Sequence, residues 1–173
     1  MREKTYDIVL IGVFSAIIAV ISLISVPIPI GVPLTLQTFI VSLTGYFLGS
    51  KKASISVLIY ILMGAIGLPV FSSFRGGLGA LFDLTGGFIF GFIPLAIFCG
   101  IKTSKTLTSI LYGVVGLMIC HITGIVLFGV YSDNFSGAFL LASLPYIPKD
   151  IICVISAFFI SKKLKSVINK QKN

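Results

Sequence analysis

The chain has 173 residues, of which 57% are hydrophobic and 10% charged, and its mean hydropathy is +1.13. A soluble domain carries about 25% charged residues, so the composition excludes an ordinary soluble protein and indicates an integral membrane protein. At roughly 20 residues per span, this length accommodates about six helices and no soluble domain. The net charge of +8 does not indicate nucleic-acid binding, because the basic residues stand between apolar runs, where they set topology.

The first apolar run follows a short charged segment, and we expect it to be a retained membrane helix over residues 8–25. It is longer than the hydrophobic part of a usual signal peptide, and no small-x-small cleavage site closes it. Gly12 and Ala16 lie four residues apart, which gives a smooth helix face that another helix can approach closely.

A loop and two spans follow. Residues 26–33 contain three prolines and a glycine, which predict an ordered extended loop rather than a helix. Residues 34–49 are the second predicted span, and its early polar residues Thr35, Gln37 and Thr38 suit capping and helix–helix hydrogen bonds as well as ligand contacts. The third predicted span, 53–68, is too short to cross the hydrocarbon unless protein shields one end.

The second half of the chain predicts three more spans. The fourth covers 77–100 and is expected to kink at Pro94. The fifth covers 107–130, and the sixth covers 139–160 before a basic tail. The predicted fold class is therefore an all-α bundle of six transmembrane helices in one domain.

The basic residues predict the orientation of these spans. Eleven of the 13 fall in alternate connections, on one side of the membrane: Arg2, Lys4, Lys51, Lys52, Lys102, Lys105, Lys162, Lys163, Lys165, Lys170 and Lys172. Positive charge is retained on the cytoplasmic side, so both termini are expected there. An even number of spans agrees with this, since it returns the chain to its starting side.

Residues 67–91 are rich in glycine and carry both Arg75 and Asp83 in apolar surroundings. Four small or acidic residues recur at every fourth position, namely Gly79, Asp83, Gly87 and Gly91. If the segment is helical, they share one face of bare backbone with a single carboxylate. Helix packing alone explains the glycines equally well, but ionisable groups at membrane depth favour a polar cavity or pathway.

Lys149 and Asp150 lie within the sixth predicted span, where two prolines three residues apart break regular helix. A mutually neutralising pair, or a lysine extended toward the interface, is one interpretation. Adjacent residues on a helix point about 100° apart, however, so the two side chains are not expected to face each other. A polar cavity that is open to the outside and includes Arg75 and Asp83 is favoured.

The remaining reactive residues indicate no catalysis. The single histidine, His121, lies mid-span, where an interhelical hydrogen bond is a commoner role than ligand binding. Cys99, Cys120 and Cys153 lack metal or redox spacing, so we expect buried, reduced thiols. No nucleophile–base pair, phosphate loop or zinc motif is present, and an enzyme is not expected.

Three blocks of sequence together resemble the BioY family, the biotin-binding S components of energy-coupling factor (ECF) vitamin transporters. They are VPLTLQT at residues 32–38; GAIGLPVF at 64–71 with the following GGLG and TGG; and LPYIPKD at 144–150. Each block alone is a weak signal, but the three in this order and spacing are specific and extend over nearly the whole chain.

The resemblance implies a six-helix bundle in the bacterial cytoplasmic membrane, with a biotin pocket that faces outward. The loops after the first and third helices would cap the pocket. Energy would come from a transmembrane coupling subunit and two ATPase subunits that use ATP, and this chain would bind no cofactor or metal itself. The small residues Gly12, Ala16 and Ala19 resemble the docking face for the coupling subunit.

The chemistry of biotin then suggests roles for the candidate residues. Asp150 can accept hydrogen bonds from the ureido N–H groups, and either Arg75 or Lys149 can pair with the valerate carboxylate. The bicyclic ring would pack on glycine backbone and aromatic side chains. The other candidates for the pocket are Asp83, Gln37, Thr35, Gly87, Phe71, Phe74, Phe88 and Tyr146.

Two other classes of function are compatible with an apolar helical chain. One is a secondary carrier for biotin or a related vitamin, driven by an ion gradient through Asp83, His121 or Asp150. The other is a membrane-embedded enzyme, which ranks last because its reactive groups are missing.

Overall fold

The computed structural model describes residues 2–26 and 32–172, which form a helical bundle. Helices of twelve or more residues dominate this part of the chain: α1 (Arg2–Ser22), α2 (Gln37–Leu48), α3 (Ser50–Ala65), α5 (Gly86–Cys99), α6 (Thr106–Ser132) and α8 (Ile147–Lys172). Shorter elements connect them: strands β1 (Ser25–Val26) and β2 (Leu34–Thr35), a 3₁₀ turn (Ser72–Phe74), α4 (Leu78–Leu81), α7 (Phe135–Gly137) and a π-helical turn (Ala138–Ser143).

The outer surface of the bundle is apolar. Within the described residues, Lys4–Ser22 and Thr106–Ser132 combine the length and hydropathy needed to cross a membrane, and about a third or less of each is buried. Large side chains such as Ile8 and Ile122 are 70% and 58% exposed. Soluble monomers rarely expose contiguous apolar surface of this kind, so the described surface suits a bilayer. Helices α2 and α5 are also apolar but shorter.

Helices α5 and α6 make the most extensive contact in the bundle, and glycine permits it. A Cβ atom placed on Gly91 would lie 2.7 Å from the Cα of Cys120 in α6, and one on Gly87 would meet the carbonyl oxygen of Thr123. Any larger residue would therefore push the two backbones apart. The glycines of the predicted span thus serve helix packing in this part of the fold.

The two described ends of the connection between α1 and α2 pair as short strands, which we call the hairpin. Ser25 pairs with Thr35 and Val26 with Leu34 in antiparallel register. Residues 27–31 of the predicted extended loop lie outside the described residues. The second helix consequently starts at Gln37, three residues later than the predicted span.

The fourth predicted span is broken, and the proposed common face is wrong. The chain leaves α4 after Leu81 and re-enters helix only at Gly86, so Gly79 and Asp83 do not share a helix with Gly87 and Gly91. The backbone N–H of Leu84 donates to Asp83 Oδ1 at 2.7 Å. This local bond stabilises a turn at the expense of the helix.

The sixth predicted span is interrupted as its prolines suggest. The N–H of Leu144 donates to the carbonyl of Phe139 at 2.8 Å, an i→i−5 bond that closes a wide π turn. Three residues of turn follow before α8 begins at Ile147. Polar residues at the start of α8 therefore project from a break in the apolar run.

Candidate functional site

A small cavity lies between the hairpin, α2, α5, α6, the π turn and the start of α8. Its volume is about 50 Å³. It brings together residues that are distant in the sequence: Val32, Pro33, Thr35, Gln37, Thr38, Phe88, Phe92, Leu117, Cys120, His121, Ala142, Tyr146, Lys149 and Asp150. Thr35, Gln37, Phe88, Tyr146, Lys149 and Asp150 are among the residues predicted from the sequence.

Asp150 is the acidic group of this cavity, and it is 5% exposed. Its Oδ1 lies 2.6 Å from Lys149 Nζ, and its Oδ2 lies 3.4 Å from His121 Nε2. The expectation that Lys149 and Asp150 do not face each other is wrong, because the long lysine side chain folds back onto its neighbour. The contact with Lys149 is an ion pair. Because a carboxylate oxygen has two lone pairs, Oδ1 can accept a further hydrogen bond from a ligand.

His121 connects α6 to the π turn beside this carboxylate. Its Nδ1 lies 2.8 Å from Ser143 Oγ, and its ring meets the ring of Phe88 edge-on at 5.9 Å between centroids. The predicted interhelical hydrogen bond is confirmed. The imidazole also lines the cavity, so its structural contact holds it within reach of Asp150.

Two hydrogen bonds tie the hairpin to the region of α8 across the cavity. Tyr146 donates its hydroxyl to the carbonyl of Val32, and Lys149 Nζ donates to the carbonyl of Thr35 at 3.0 Å. The connection between α1 and α2 is thereby held against the start of α8. Any ligand larger than the cavity must displace these contacts.

Gln37 and Thr35 make hydrogen bonds within the protein at the start of α2. Thr35 Oγ1 donates to Gln37 Oε1 at 3.0 Å, and Gln37 Nε2 donates to the hydroxyl of Tyr60 at 2.9 Å. Both residues also line the cavity. Their hydrogen bonds orient the polar edge of α2 toward it.

Arg75 and Asp83 form a separate pair outside this cavity. Arg75 Nη1 donates to Asp83 Oδ2 at 2.7 Å, and its Nη2 donates to Thr85 Oγ1 at 2.6 Å. They line a neighbouring cavity of about 400 Å³. Pro33 lines both this cavity and the first one. Asp83 also supports its own turn, so its carboxylate is largely committed to structure.

The loops after α1 and α3 meet beside these cavities. The N–H of Ser73 donates to Ser25 Oγ at 3.1 Å. Ser73 and Phe74 both have positive φ angles, near 59° and 58°, which non-glycine residues rarely adopt. This tight turn aligns Phe71 with Arg75 as a β-bridge and presents the guanidinium to Asp83.

Other predicted pocket residues have different positions. Phe71 is fully buried and packs edge-on against Tyr60, whereas Phe74 is 68% exposed. Gly87 contacts α6, as described above. None of these three lines the first cavity.

The proposed docking face on α1 is divided. Gly12 and Ala16 are exposed, and nothing lies within 4 Å of a Cβ placed on Gly12. Ala19 instead faces the bundle and is 6% exposed. Ala16 lines a shallow, wholly apolar groove with Val13, Ile17, Val20 and Ile21.

The apolar lining of the first cavity was not predicted from the sequence. Phe92, Leu117 and Cys120 line it, yet their residue types match those of any membrane helix core. The cysteines are free and buried, as expected. Among the described residues, no three His, Cys, Asp or Glu side chains approach each other closely enough to hold a metal ion.

These features define a class: a helical protein with a membrane-compatible surface and a cavity of mixed polar and apolar lining between its helices. The fold matches that of a solved structure described as the S-component for biotin from an ECF-type ABC transporter, with a TM-score of 0.86. The alignment covers 95% of this chain and 93% of that one at 22% identity.

The BioY family model matches residues 1–170, and the chain belongs to the BioY family. It is 38% identical over 159 residues to the biotin transporter BioY of Thermotoga maritima, and the alignment covers 90% of this chain and 94% of that protein. It is also 38% identical over 165 residues to a probable biotin transporter BioY of Pyrococcus horikoshii, with 94% and 98% covered.

Proposed function

We propose that this chain captures biotin as the membrane-embedded S component of an ECF transporter. Membership of the BioY family and the names of the relatives support biotin as the substrate. The single observation that carries the proposal is the buried Asp150 carboxylate, which lines the cavity beside Lys149 and His121 and can accept a hydrogen bond there. The chain is a transporter component and not an enzyme.

The polar end of the cavity suits the ureido group of biotin. That group presents N–H donors and a carbonyl acceptor side by side. Asp150 accepts from one N–H group, and the ammonium of Lys149, 2.6 Å from Asp150 Oδ1, donates to the neighbouring carbonyl. Bonds between an ionised and a neutral group are shorter and stronger than neutral ones, which favours this orientation of the ligand.

The valerate carboxylate then pairs with Arg75 rather than Lys149. Because Lys149 lies against Asp150, it cannot also serve the opposite end of an extended ligand. Arg75 lines the adjoining cavity beyond Pro33. A guanidinium has five N–H donors, and the two that bind Asp83 and Thr85 leave others for a carboxylate.

Ligand entry requires the pocket to expand. The cavity of about 50 Å³ is smaller than the roughly 300–1,000 Å³ of ordinary small-molecule sites. The contacts of Tyr146 and Lys149 with the hairpin are the groups that a ligand would displace. Biotin thus replaces protein hydrogen bonds with its own.

The membrane arrangement and energy source complete the proposal. The six long helices span the bacterial cytoplasmic membrane with both termini inside, and a coupling subunit and two ATPase subunits supply ATP-driven uptake. Positive charge at alternate connections supports the orientation. Labelling of Thr103→Cys by an impermeant reagent applied outside intact cells would contradict it.

Asp150→Asn tests the binding site. The variant keeps the shape of the side chain but loses its charge, so biotin affinity should fall roughly ten- to a hundredfold, since bonds to charged groups contribute about 1.5–3 kcal/mol. Isothermal titration of purified protein measures the change. Asp133→Asn is the matched control, because Asp133 is exposed outside the cavity. Equal affinity of a folded Asp150→Asn protein and the wild type would remove Asp150 from the site.

A further inference from the structure

A second cavity, of about 560 Å³, lies at the opposite end of α2 and α8 from the biotin cavity. It is formed by the last turn of α2, the end of α5, the start of α6 and the lysine-rich part of α8. The two cavities share no lining residue. Its volume is within the range of small-molecule sites, so it can hold a group of substantial size.

Three lysines line this second cavity: Lys102, Lys162 and Lys165. Among the described residues, no carboxylate lies within 4.0 Å of any of them. Lys52 belongs to another basic connection predicted on the same side, and it does pair with Asp7. The cavity therefore concentrates positive charge that the described part of the chain leaves uncompensated.

Lys165 is affected by both the cavity wall and the neighbouring lysine. Its Nζ donates to the carbonyl of Tyr46 at 2.7 Å, which fixes the ammonium at the cavity wall. Lys165 is exposed at the surface, but partial burial of its ammonium and, to a smaller degree, the nearby charge of Lys102 lower its pKa below the ordinary value. A bound anion would favour the charged form of Lys165. It would replace the lost solvation and offset the repulsion between the two ammonium groups.

Besides the polar residues Thr103, Ser109 and Ser161, the rest of the lining includes apolar and aromatic side chains. Phe47 and Phe158 contribute rings, and Phe158 packs edge-on against Tyr46 at 5.3 Å. Outside the cavity, Phe159 and Leu164 of α8 are 53% and 42% exposed. The cationic site is thus continuous with surface that suits hydrocarbon. A free phosphate would use only the lysines, whereas a lipid would use both.

We propose that this cavity binds the phosphodiester headgroup of an anionic phospholipid, such as phosphatidylglycerol, with its acyl chains along α8. Basic pockets between membrane helices bind such headgroups by charge complementarity. The site is independent of biotin recognition. It anchors the end of the bundle at which the lysines gather.

Lipid binding by the purified full-length protein tests the proposal. In native mass spectrometry from mixed phosphatidylcholine and phosphatidylglycerol, the protein should retain phosphatidylglycerol. The triple variant Lys102→Gln, Lys162→Gln, Lys165→Gln should bind it roughly a hundredfold more weakly, at about fivefold per lysine. The control triple variant Lys105→Gln, Lys163→Gln, Lys170→Gln has the same net charge but changes exposed lysines outside the cavity, and its affinity should stay within a few fold of the wild type.

Three outcomes would overturn the proposal. Equal losses of phosphatidylglycerol affinity in both triple variants would show that only general surface charge matters. Retention of phosphatidylcholine equal to that of phosphatidylglycerol would show that the headgroup's negative charge is not recognised. Thermal stabilisation by inorganic phosphate equal to that by phosphatidylglycerol would assign the site to a soluble anion. If the first triple variant does not fold, the double variant Lys102→Gln, Lys162→Gln keeps the Lys165–Tyr46 bond and should still lose at least tenfold.

Discussion

Asp150 is the least exposed of the acidic side chains that form ion pairs in the described part of the chain. Its side chain is 7% exposed, against 39% for Asp7 and 46% for Asp83. A buried carboxylate is stable only when opposite charge and hydrogen-bond donors compensate its lost hydration. Lys149 supplies the charge, and the imidazole of His121 lies close to the second oxygen. The residue is therefore held in place before any ligand arrives.

The roles proposed for Arg75 and Lys149 can be separated with biotin methyl ester, whose tail carries no charge. Arg75→Gln should weaken biotin binding roughly ten- to a hundredfold, because it removes a charge-assisted bond, but should change ester binding little. Lys149→Gln should weaken both ligands, since it acts at the ureido end. Titration of each variant with each ligand measures the four affinities. If Lys149→Gln weakened binding of biotin but not of the ester, the two assignments would be reversed.

At the scale of elements, the bundle depends on glycines whose surroundings differ sharply. Gly91 lies against α6, whereas the position of a Cβ on Gly12 is open. Gly91→Ala should lower the midpoint of thermal unfolding in detergent, since overpacking costs typically about 1–3 kcal/mol. Gly12→Ala should leave it unchanged or raise it slightly through helix propensity. Equal midpoints for the two variants would contradict the close α5–α6 contact.

The sequence predicts most of these elements, because apolar length and proline position determine them. Helix α6 matches its predicted span, 107–130, to within two residues. The break after Leu81 was missed, because glycine at every fourth position is compatible with a helix face and with a turn. What decides it is the side chain of Asp83, which bonds the backbone beside it.

The candidate site could be predicted only in part, because the sequence shows where polar residues interrupt apolar runs but not which side chains meet. Polar residues in apolar runs identified Asp150, Lys149, Gln37 and Thr35 at the cavity. Which ion pairs with which was not predictable, because spacing along the chain does not describe how a long side chain folds back. The apolar wall was also not predictable, since Leu117 and its neighbours have the composition of any helix core.

At the scale of the molecule, the exposed face of α1 suits a partner helix. Substituting both Gly12 and Ala16 with leucine fills this face and leaves the cavity around Asp150 untouched. Biotin binding by the purified variant should be unchanged, while uptake in cells that contain the energising subunits should be lost. Val115→Leu with Val126→Leu, on exposed positions of α6, is the control and should retain uptake. Loss of binding together with uptake would contradict separate binding and docking surfaces.

The π turn at Ala138–Ser143 has a consequence for changes in chain length. A π turn contains about one residue more than an α turn, so a single-residue deletion there could restore regular helix instead of disrupting it. Each residue advances a helix by about 100°, and the deletion would rotate Ser143 away from His121. In a homologous chain one residue shorter at this point, a different side chain would have to support the imidazole.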